Sequence, residues 1–409
     1  MFPPERGLVN SKPRCLPPIW VMGLTNATFG LCGGFVAVSV PEMLAAQGIP
    51  AGHVATAAAV IVSPGFWGFL FSPILDMRLS RRTYALVTGL LSALAIGITQ
   101  AHHSSLLMVQ IVMTLGFFCA MLYQGAVGGW MGALIDRGQD SKLGVWFTVS
   151  NLGAGGIMMV LASELMQRLS PVIAGLVVAT VVLSPMLLFL AIPSPPPSEH
   201  QARESFARFW REAALLIRRR EIQIALVLLG LPSASFALTN VLGGTGKDFN
   251  ASDHFVGIFA GFGCIAAGII GSFLLFPLAK HLPLRRLYLA IGIVGASFTF
   301  GLILLPHVPW VFAVAITGEN MFQAMAFSVS NAITFEVIGP DNPFAATIFT
   351  LLISTSNLPI IYMQYLDGRG YDAGGLTGSF LTDALLTAAT CVLLWFLLVR
   401  RLVPARAAN

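Results

Sequence analysis

Three polar side chains lie close together at the centre of one apolar stretch, Trp310–Glu336. They are Glu319, Asn320 and Gln323. A helix rises about 1.5 Å per residue, which places Glu319 near the middle of a ~30 Å hydrocarbon core. An ionisable residue at that depth usually faces a bundle interior or a wet cavity and is a candidate for function. Burial favours the neutral form of a carboxylic acid, so Glu319 is the candidate proton carrier. The alternative is a protonated carboxyl that only hydrogen-bonds a neighbouring helix.

The composition of the chain defines the elements that must position these residues. Of 409 residues, 56% are hydrophobic and 10% are charged, whereas soluble domains carry about 25% charged residues. Because helices satisfy their own backbone groups in lipid, the composition predicts an all-α polytopic membrane protein. The five cysteines lack zinc-ligand spacing, and no Gly-x-x-x-x-Gly-Lys phosphate loop is present. We therefore expect neither an enzyme nor a metal or other cofactor.

Twelve apolar segments separated by polar loops predict twelve transmembrane helices in two six-helix bundles. The seventh, eleventh and twelfth are predicted at Glu221–Gly243, Phe344–Leu366 and Gly378–Val399. We divide the chain into an N-terminal tail at 1–18, a bundle at 19–192, a linker with an amphipathic helix at 193–220, and a bundle with a short tail at 221–409.

The basic residues predict the orientation of these helices. Of the 23 lysines and arginines, all but Arg168, Lys247 and Arg369 fall on the side of the N-terminal tail. The positive-inside rule then places both termini in the cytoplasm. The net charge of +5 reflects this topology, so we expect no nucleic-acid partner. The expected partners are membrane lipid, protons and a small-molecule substrate, and we expect a monomer in a bacterial inner membrane.

The two halves share a residue pattern between their second and third spans. The coinciding residues are Pro73 and Pro277, Arg81-Arg82 and Arg285-Arg286, and Tyr84 and Tyr288. Two such halves joined by a long basic loop resemble the major facilitator superfamily, whose halves are parallel repeats. The resemblance implies a secondary transporter that works by alternating access.

The first copy of this pattern, SPILDMRLSRR, has an acidic residue before its basic cluster and resembles the superfamily's loop between helices two and three. Arginines near a helix end can pair with a carboxylate and with facing helix termini. The resemblance therefore implies that these residues latch the two halves in one state; the alternative is a loop that only sets topology. The candidate gating residues are Asp76, Arg78, Arg81, Arg82, Arg285 and Arg286.

Three segments resemble the peptide–acetyl-coenzyme A transporter family, which includes AmpG-like muropeptide permeases and siderophore permeases. They are PGFWGFLFSPILD, GENMFQAMAFSVSN and NPFAATIFTLLISTSN, which correspond to the family's second, tenth and eleventh helices. The family's Glu-Asn pair falls on Glu319-Asn320. The chain departs from the family in its fourth helix, where Gly125 and Gly129 replace two acids. The resemblance implies a muropeptide-like substrate. Siderophore import, drug or cation export, and a receptor or scaffold on a transporter fold are the alternatives.

The superfamily lines its cavity with the first, fourth, seventh and tenth helices. The candidate substrate-binding residues are Asn26, Tyr123, Gln124, Asn151, Asn240, Asn320, Gln323 and Asn357. No lysine or arginine lies deep in a predicted span, which favours neutral, zwitterionic or cationic solutes over polyanions. Alternatively, these polar groups only hold helices together, at about 0.6 kcal/mol each. We expect Glu319 to be the only acid near mid-membrane and Asp383 to reach the membrane interface.

Overall fold

The computed structural model describes residues 16–102, 105–193, 211 and 214–402. The predicted N-terminal tail at 1–18 and the predicted linker at 193–220 lie largely outside these residues. Within the described part of the chain the regular structure is helical.

The first half of the chain folds into six helices. They are α1 at Ile19–Ala46, α2 at Thr56–Asp76, α3 at Arg81–Ala101, α4 at Leu106–Leu134, α5 at Asp140–Arg168 and α6 at Pro171–Ala191. Local chemistry fixes several of their ends. Ser80 and Ser105 accept hydrogen bonds from Thr83 N and Met108 N and so cap α3 and α4. The last part of α2, Gly68–Asp76, is a 3-10 helix that contains Pro73, and it ends on the buried Asp76.

The second half contains the remaining helices. They are α7, broken into Arg220–Gly230 and Leu238–Leu242, α8 at His254–Leu278, α9 at Leu284–Leu302 and α10 at Pro309–Ile338. The last helical run, Ala345–Leu402, has non-helical backbone angles at Gly374 and Gly375. These glycines divide the run into α11 at 345–373 and α12 at 376–402.

Nine helices within the described residues are long and apolar enough to cross a membrane, with α11 and α12 counted together. This confirms the prediction of an all-α polytopic membrane protein. The shorter α7 and α9 occupy the places of the seventh and ninth predicted spans, and the count of twelve spans stays a prediction.

The prediction of one continuous seventh helix is wrong. The structure breaks α7 between Gly230 and Leu238. Pro232 lies in the break, and proline cannot donate the helical hydrogen bond and clashes with the preceding turn. The backbone exposed by the break is partly satisfied by side chains, since Ser233 Oγ donates to Leu228 O at 2.9 Å. Phe236, at φ 47°, completes the bend.

The two halves pack together at one end of the molecule, which carries the α2–α3 and α8–α9 loops with their arginines. We call it the basic end. Phe147 of α5 packs edge-on against Phe335 of α10 at 5.1 Å between ring centroids, and Phe349 of α11 joins them. The backbones also approach closely here, because a Cβ on Gly129 would lie 2.3 Å from Ala346 N. Towards the opposite end, each half has a separate apolar core.

Candidate functional site

A cavity of about 370 Å³ lies between the two halves, and helices α1, α5, α7, α8 and α10 line it. This volume is at the lower end of the ~300–1,000 Å³ found for small-molecule sites. Its polar lining consists of amide and hydroxyl side chains, with one thiol. They are Asn151, Thr239, Asn240, Asn320, Gln323 and Cys264. The lining can therefore donate and accept hydrogen bonds, and it contains no charged side chain.

Hydrogen bonds hold several of these amides in place. Gln323 Nε2 donates to Phe236 O at 3.1 Å and to Thr239 Oγ1 at 3.0 Å, which ties α10 to the break in α7. Asn320 Nδ2 donates to Cys264 Sγ at 3.1 Å and to Ile316 O at 2.8 Å. Both amides keep a carbonyl oxygen as an acceptor. The cavity wall is thus partly preorganised.

The structure brings four of the eight predicted substrate-binding residues to this cavity: Asn151, Asn240, Asn320 and Gln323. It places the other four outside the cavity lining. Asn26 and Tyr123 are buried in the first half, where Asn26 Nδ2 donates to Phe147 O at 3.2 Å and Tyr123 OH donates to Thr25 O at 2.6 Å. Gln124 is buried and Asn357 is half-buried.

Sequence reasoning missed the glycines of the cavity wall, and these come from both halves. They are Gly30, Gly33, Gly34, Gly155, Gly156, Gly243 and Gly261. Their closely spaced runs in α1 and α5 were the available signal, but small residues also serve simple helix packing. Gly34 does both, because a Cβ there would lie 2.2 Å from Gly155 O.

Glu319 faces away from this cavity and into the second half. Its side chain is 0% exposed, whereas the adjacent Asn320 lines the cavity. Consecutive helical residues point about 100° apart, so the Glu-Asn pair serves two different sites. Thr299 Oγ1 of α9 donates to Glu319 Oε1. Glu319 Oε2 is buried without a hydrogen-bond partner.

Two further acids share the interior with Glu319. Asp367 of α11 is 0% exposed and Asp383 of α12 is 2% exposed. Both lie on the α11–α12 run, which packs against α9 and α10, so that their charges act on Glu319. We call Glu319, Asp367 and Asp383 the acid cluster. The expectation that Asp383 reaches the membrane interface is therefore wrong, and Glu319, expected to be the only acid near mid-membrane, shares the interior of the second half with two others. The reason is that α11 continues to residue 373 and α12 begins directly after Gly375, which draws both aspartates into the bundle.

A second buried carboxylate, Asp76, joins the two halves at the basic end. Its Oδ1 accepts from Arg81 Nε at 2.7 Å and from Ala346 N at 3.2 Å. Its Oδ2 accepts from Thr347 N at 2.8 Å and from Thr347 Oγ1 at 2.7 Å. Arg81 Nη2 also donates to the carbonyls of Asn342 and Pro343, at 2.8 and 2.9 Å. We call Asp76, Arg81 and the first turn of α11 the latch.

The other predicted gating residues are less engaged. Arg78 is exposed and has a φ of 54°. Arg82, Arg285 and Arg286 are half-buried, and Arg285 Nε is buried without a hydrogen-bond partner. Among the described gating arginines, Arg81 connects the first half to the second, because it donates both to Asp76 and to the carbonyl of Asn342.

The described residues contain no group of three or more His, Cys, Asp or Glu side chains arranged to hold a metal ion. The acid cluster therefore lacks the close convergence of a chelating site.

No protein-family model matches the chain, and no curated protein matches it. Solved structures do. The E. coli fucose:proton symporter FucP is similar with a TM-score of 0.68 and 14% identity, over 93% of this chain and 98% of that chain. The human organic anion transporter MFSD10 gives 0.66 and 14%, over 92% and 100% of the two chains. A structure of FucP in the outward conformation gives 0.66 and 15%, over 93% and 99%.

These similarities show that the chain has the fold of the major facilitator transporters. At such low identity they extend to the fold alone. The narrower resemblance to AmpG-like permeases is not confirmed.

Proposed function

We propose that this protein is a secondary active transporter that moves a small organic solute across the membrane by alternating access. The observation that carries the proposal is an amide-lined cavity between two repeated halves that are latched together at one end. Proteins of this fold include a fucose:proton symporter and an organic anion transporter. A receptor or scaffold on the same fold is the rival, because it would bind a solute without moving it.

We infer that the structure represents an outward-facing state. The latch and the Phe147–Phe335 contact join the halves at the basic end, which the positive-inside rule assigns to the cytoplasm. The similarity to FucP in the outward conformation supports this inference. In such a state the cavity is accessible from the outer side, and transport requires the latch to open.

The solute that suits this cavity is compact, polar and uncharged or zwitterionic. Amides offer it both donors and acceptors, whereas the lining has no fixed cation for an anion and no carboxylate for a cation. The absence of a carboxylate from the lining disfavours drug or cation export. A sugar-sized cell-wall fragment fits the volume best, and a whole muropeptide or a siderophore requires a wider cavity in another state.

We also propose that transport is coupled to protons through Glu319. One helical turn separates Glu319 from the cavity residue Gln323, and side chains at this spacing are neighbours on the helix. A change in the protonation of Glu319 therefore alters the surroundings of Gln323. The proton neutralises a carboxyl that lies in an apolar interior. With this carboxyl neutral, the transporter can change between its two access states, empty or loaded, without moving a buried charge.

Two experiments test the proposed function in sequence. A thermal-shift screen of purified protein against sugars, cell-wall fragments, siderophores and cationic drugs identifies a solute. Counterflow of that solute in proteoliposomes then separates a transporter from its rival. A transporter exchanges labelled for unlabelled solute, whereas a receptor or scaffold binds the solute and shows no exchange.

The topology, the domain boundaries and the setting belong to the same proposal. We propose that both termini and the linker at 193–220 lie in the cytoplasm of a bacterial cell, and that the monomer is the working unit in the inner membrane. A reporter fused after Arg220 should be active on the cytoplasmic side. Activity of that reporter only on the outer side would reverse the orientation.

A further inference from the structure

The acid cluster leaves four carboxylate oxygens in the interior of the second half without hydrogen-bond partners. They are Glu319 Oε2, Asp367 Oδ1, Asp367 Oδ2 and Asp383 Oδ1. Burial of an isolated ionised carboxylate is so costly that such a group takes up a proton instead. Carboxylates that share a site also resist ionising together, because each charge disfavours the next. The number of protons on one member therefore depends on the other two.

Hydroxyl groups extend the acid cluster along α12. Ser379, Asp383, Thr387 and Cys391 recur every four residues and so share one helical face. Cys391 Sγ donates to Ser233 O of α7 at 2.8 Å, which fixes this face towards the interior of the second half. Ser379 Oγ and Thr387 Oγ1 are themselves buried without partners, one turn on either side of Asp383. These hydroxyls are independent polar groups that can accept and relay a proton.

Two helices connect the acid cluster to the solute cavity. On α10, Gln323 lines the cavity one turn from Glu319. On α11, Gln364 lies one turn from Asp367, and Gln364 Oε1 accepts from Asn240 Nδ2 of the cavity at 3.3 Å. Glu319 and Asp367 thus each lie one helical turn from an amide that lines the cavity or contacts its lining.

Aromatic rings join the break in α7 to α9 and α10. Phe236 stacks on Phe322 at 5.8 Å between centroids, and Phe298 packs on Phe322 at 5.5 Å. Phe236 belongs to the break in α7 and has a left-handed φ of 47°, which bulky residues seldom adopt. Gln323 Nε2 holds its carbonyl. A solute that competes for Gln323 therefore weakens the contact that holds Phe236 against α10.

The other titratable groups near the cluster lie at its two ends. Tyr288 of α9 and Cys391 of α12 lie on the side of the basic end. Asp248 and Tyr371 lie at the opposite end, where Tyr371 OH donates to Asp248 Oδ2 at 2.7 Å. The ion pairs that the described residues form, Asp76–Arg81 and Glu164–Arg168, lie elsewhere. A proton can neutralise a carboxylate of the cluster where no fixed cation pairs with it.

We propose that Glu319, Asp367 and Asp383 form one shared proton site, and that solute in the cavity controls its proton exchange through Gln323 and the Asn240–Gln364 pair. The proposal rests on proton-coupled transport as the proposed function, and it replaces a single carrier residue by three coupled ones. The chemical step is the addition of a proton to a carboxylate of the cluster and its later release. No other bond forms or breaks.

Infrared difference spectroscopy on the purified full chain tests the shared site without any solute. The carbonyl stretch of protonated carboxylic acids is followed during a pH titration, in wild type and in Glu319→Gln, Asp367→Asn and Asp383→Asn. Each substitution should remove part of the band. The remaining acids should then give up their protons more readily, by about one pH unit, because a like charge has gone. Asp372→Asn, an exposed change on α11, is the matched control and should leave the midpoints of the three buried acids unchanged.

Several outcomes would overturn the shared site. One is a set of variants whose lost bands add up with unchanged midpoints, because the three acids are then independent. Another is a band that sodium chloride removes and choline chloride does not, because the cluster then binds a metal cation. If a variant fails to fold, wild type alone decides: coupled acids titrate over a broad range in more than one step, and a single one-proton step contradicts the proposal.

The link to the cavity has its own test. After a pH jump, the band of Gln323→Leu should change severalfold faster than that of wild type, because Phe236 O loses its partner. Asn357→Leu, outside the cavity lining, should exchange protons at the wild-type rate. Equal rates in wild type and Gln323→Leu would remove the control by the cavity. Counterflow distinguishes the two levels: coupled bands without counterflow refute transport only, and counterflow with independent bands refutes the shared site only.

Discussion

Asp76 and the acid cluster are buried to the same degree, but their surroundings are opposite. Asp76 is 2% exposed and accepts from one guanidinium, two backbone N–H groups and one hydroxyl. In the acid cluster, Thr299 donates a hydrogen bond to one oxygen of Glu319, and four other carboxylate oxygens have no hydrogen-bond partner. A buried charge with a full set of donors can stay ionised, whereas a buried acid without donors takes up a proton. The comparison supports the proposed mechanical role of the first site and the proposed proton-carrying role of the second.

The same contrast separates the two repeated halves. In the first half, Asp76 binds the first turn of α11, whose N–H groups have no intrahelical acceptor and carry the positive end of the helix dipole. Arg81 donates to the carbonyls of Asn342 and Pro343, just before that turn. In the second half, Lys280 occupies the position that corresponds to Asp76, and Arg285 corresponds to Arg81. Arg285 Nε is buried without a partner. The latch is therefore one-sided, and its strength depends on a single carboxylate.

The largest effect is expected for Asp76→Asn. The substitution leaves Arg81 without its buried partner, and breaking such a pair costs roughly 3–5 kcal/mol. The population of the outward-facing state should fall by about a hundredfold relative to the inward-facing one. Spin labels at Ala46→Cys and Lys247→Cys, both exposed at the end opposite the latch, should move closer together. Arg82→Gln is the control. An unchanged label distance in Asp76→Asn would mean that the loop only sets topology.

An effect of opposite sign is expected in the acid cluster. Asp383→Val removes a buried oxygen that has no partner, and replacing such a group by an apolar one of similar shape should stabilise the fold by about 1–2 kcal/mol. The melting temperature in detergent should rise, while proton-coupled transport is lost. Asp76→Val should lower the melting temperature. Destabilisation by Asp383→Val would show that Asp383 has partners and would remove the contrast between the sites.

A smaller change is expected for Thr347→Val, which keeps the backbone donor to Asp76 and removes the hydroxyl donor. The loss of one charge-assisted hydrogen bond should cost about 1.5 kcal/mol, or roughly tenfold in the balance of the two states. The same pair of spin labels measures it. Thr355→Val is the matched control, because its hydroxyl donates within its own helix to Leu351 O. Equal distance distributions for wild type and Thr347→Val would exclude the hydroxyl from the latch.

The smallest effect is expected when the second half is given the residue that it lacks. Lys280→Asp supplies a carboxylate for Arg285 at the position equivalent to Asp76, and a partly exposed pair of this kind is worth at most about 1 kcal/mol. The melting temperature should rise slightly at low salt and return to the wild-type value at high salt. Lys280→Asn, which removes the charge without adding an acid, is the control. An equal rise in both variants would attribute the gain to the loss of Lys280.

The contact between Asp76 and Arg81 could be predicted from sequence because the two residues are close together in the chain and the arginine pair repeats in the second half. Asp76 and Arg81 are five residues apart, and the Arg-Arg pair recurs at Arg285-Arg286. The class of protein followed from composition for a similar reason, since apolar content is a property of every helix. The partner of the latch at Ala346 and Thr347 is far away in sequence and came only from the fold.

The acid cluster escaped prediction because it depends on where helices end and on which faces meet. Asp367 lies just beyond the predicted end of the eleventh span, and a boundary shift of a few residues moved it from a loop into the interior. Helix boundaries are the least reliable part of sequence reasoning. Four of the eight predicted substrate-binding residues lie outside the cavity lining for a related reason. The polar content of a helix can be read from sequence, but the face that Asn26 or Tyr123 turns to its neighbours depends on packing.

In the proposed mechanism, a proton on Glu319 drives the movement of solute through the cavity. Proteoliposomes that contain wild type or Glu319→Gln, loaded with the solute found in the thermal-shift screen, test it with an imposed pH gradient. The variant keeps the shape of Glu319 but is fixed in the neutral state. It should retain solute binding and counterflow and lose accumulation driven by the gradient. Undiminished accumulation in Glu319→Gln would contradict the claim and show that coupling runs through another group.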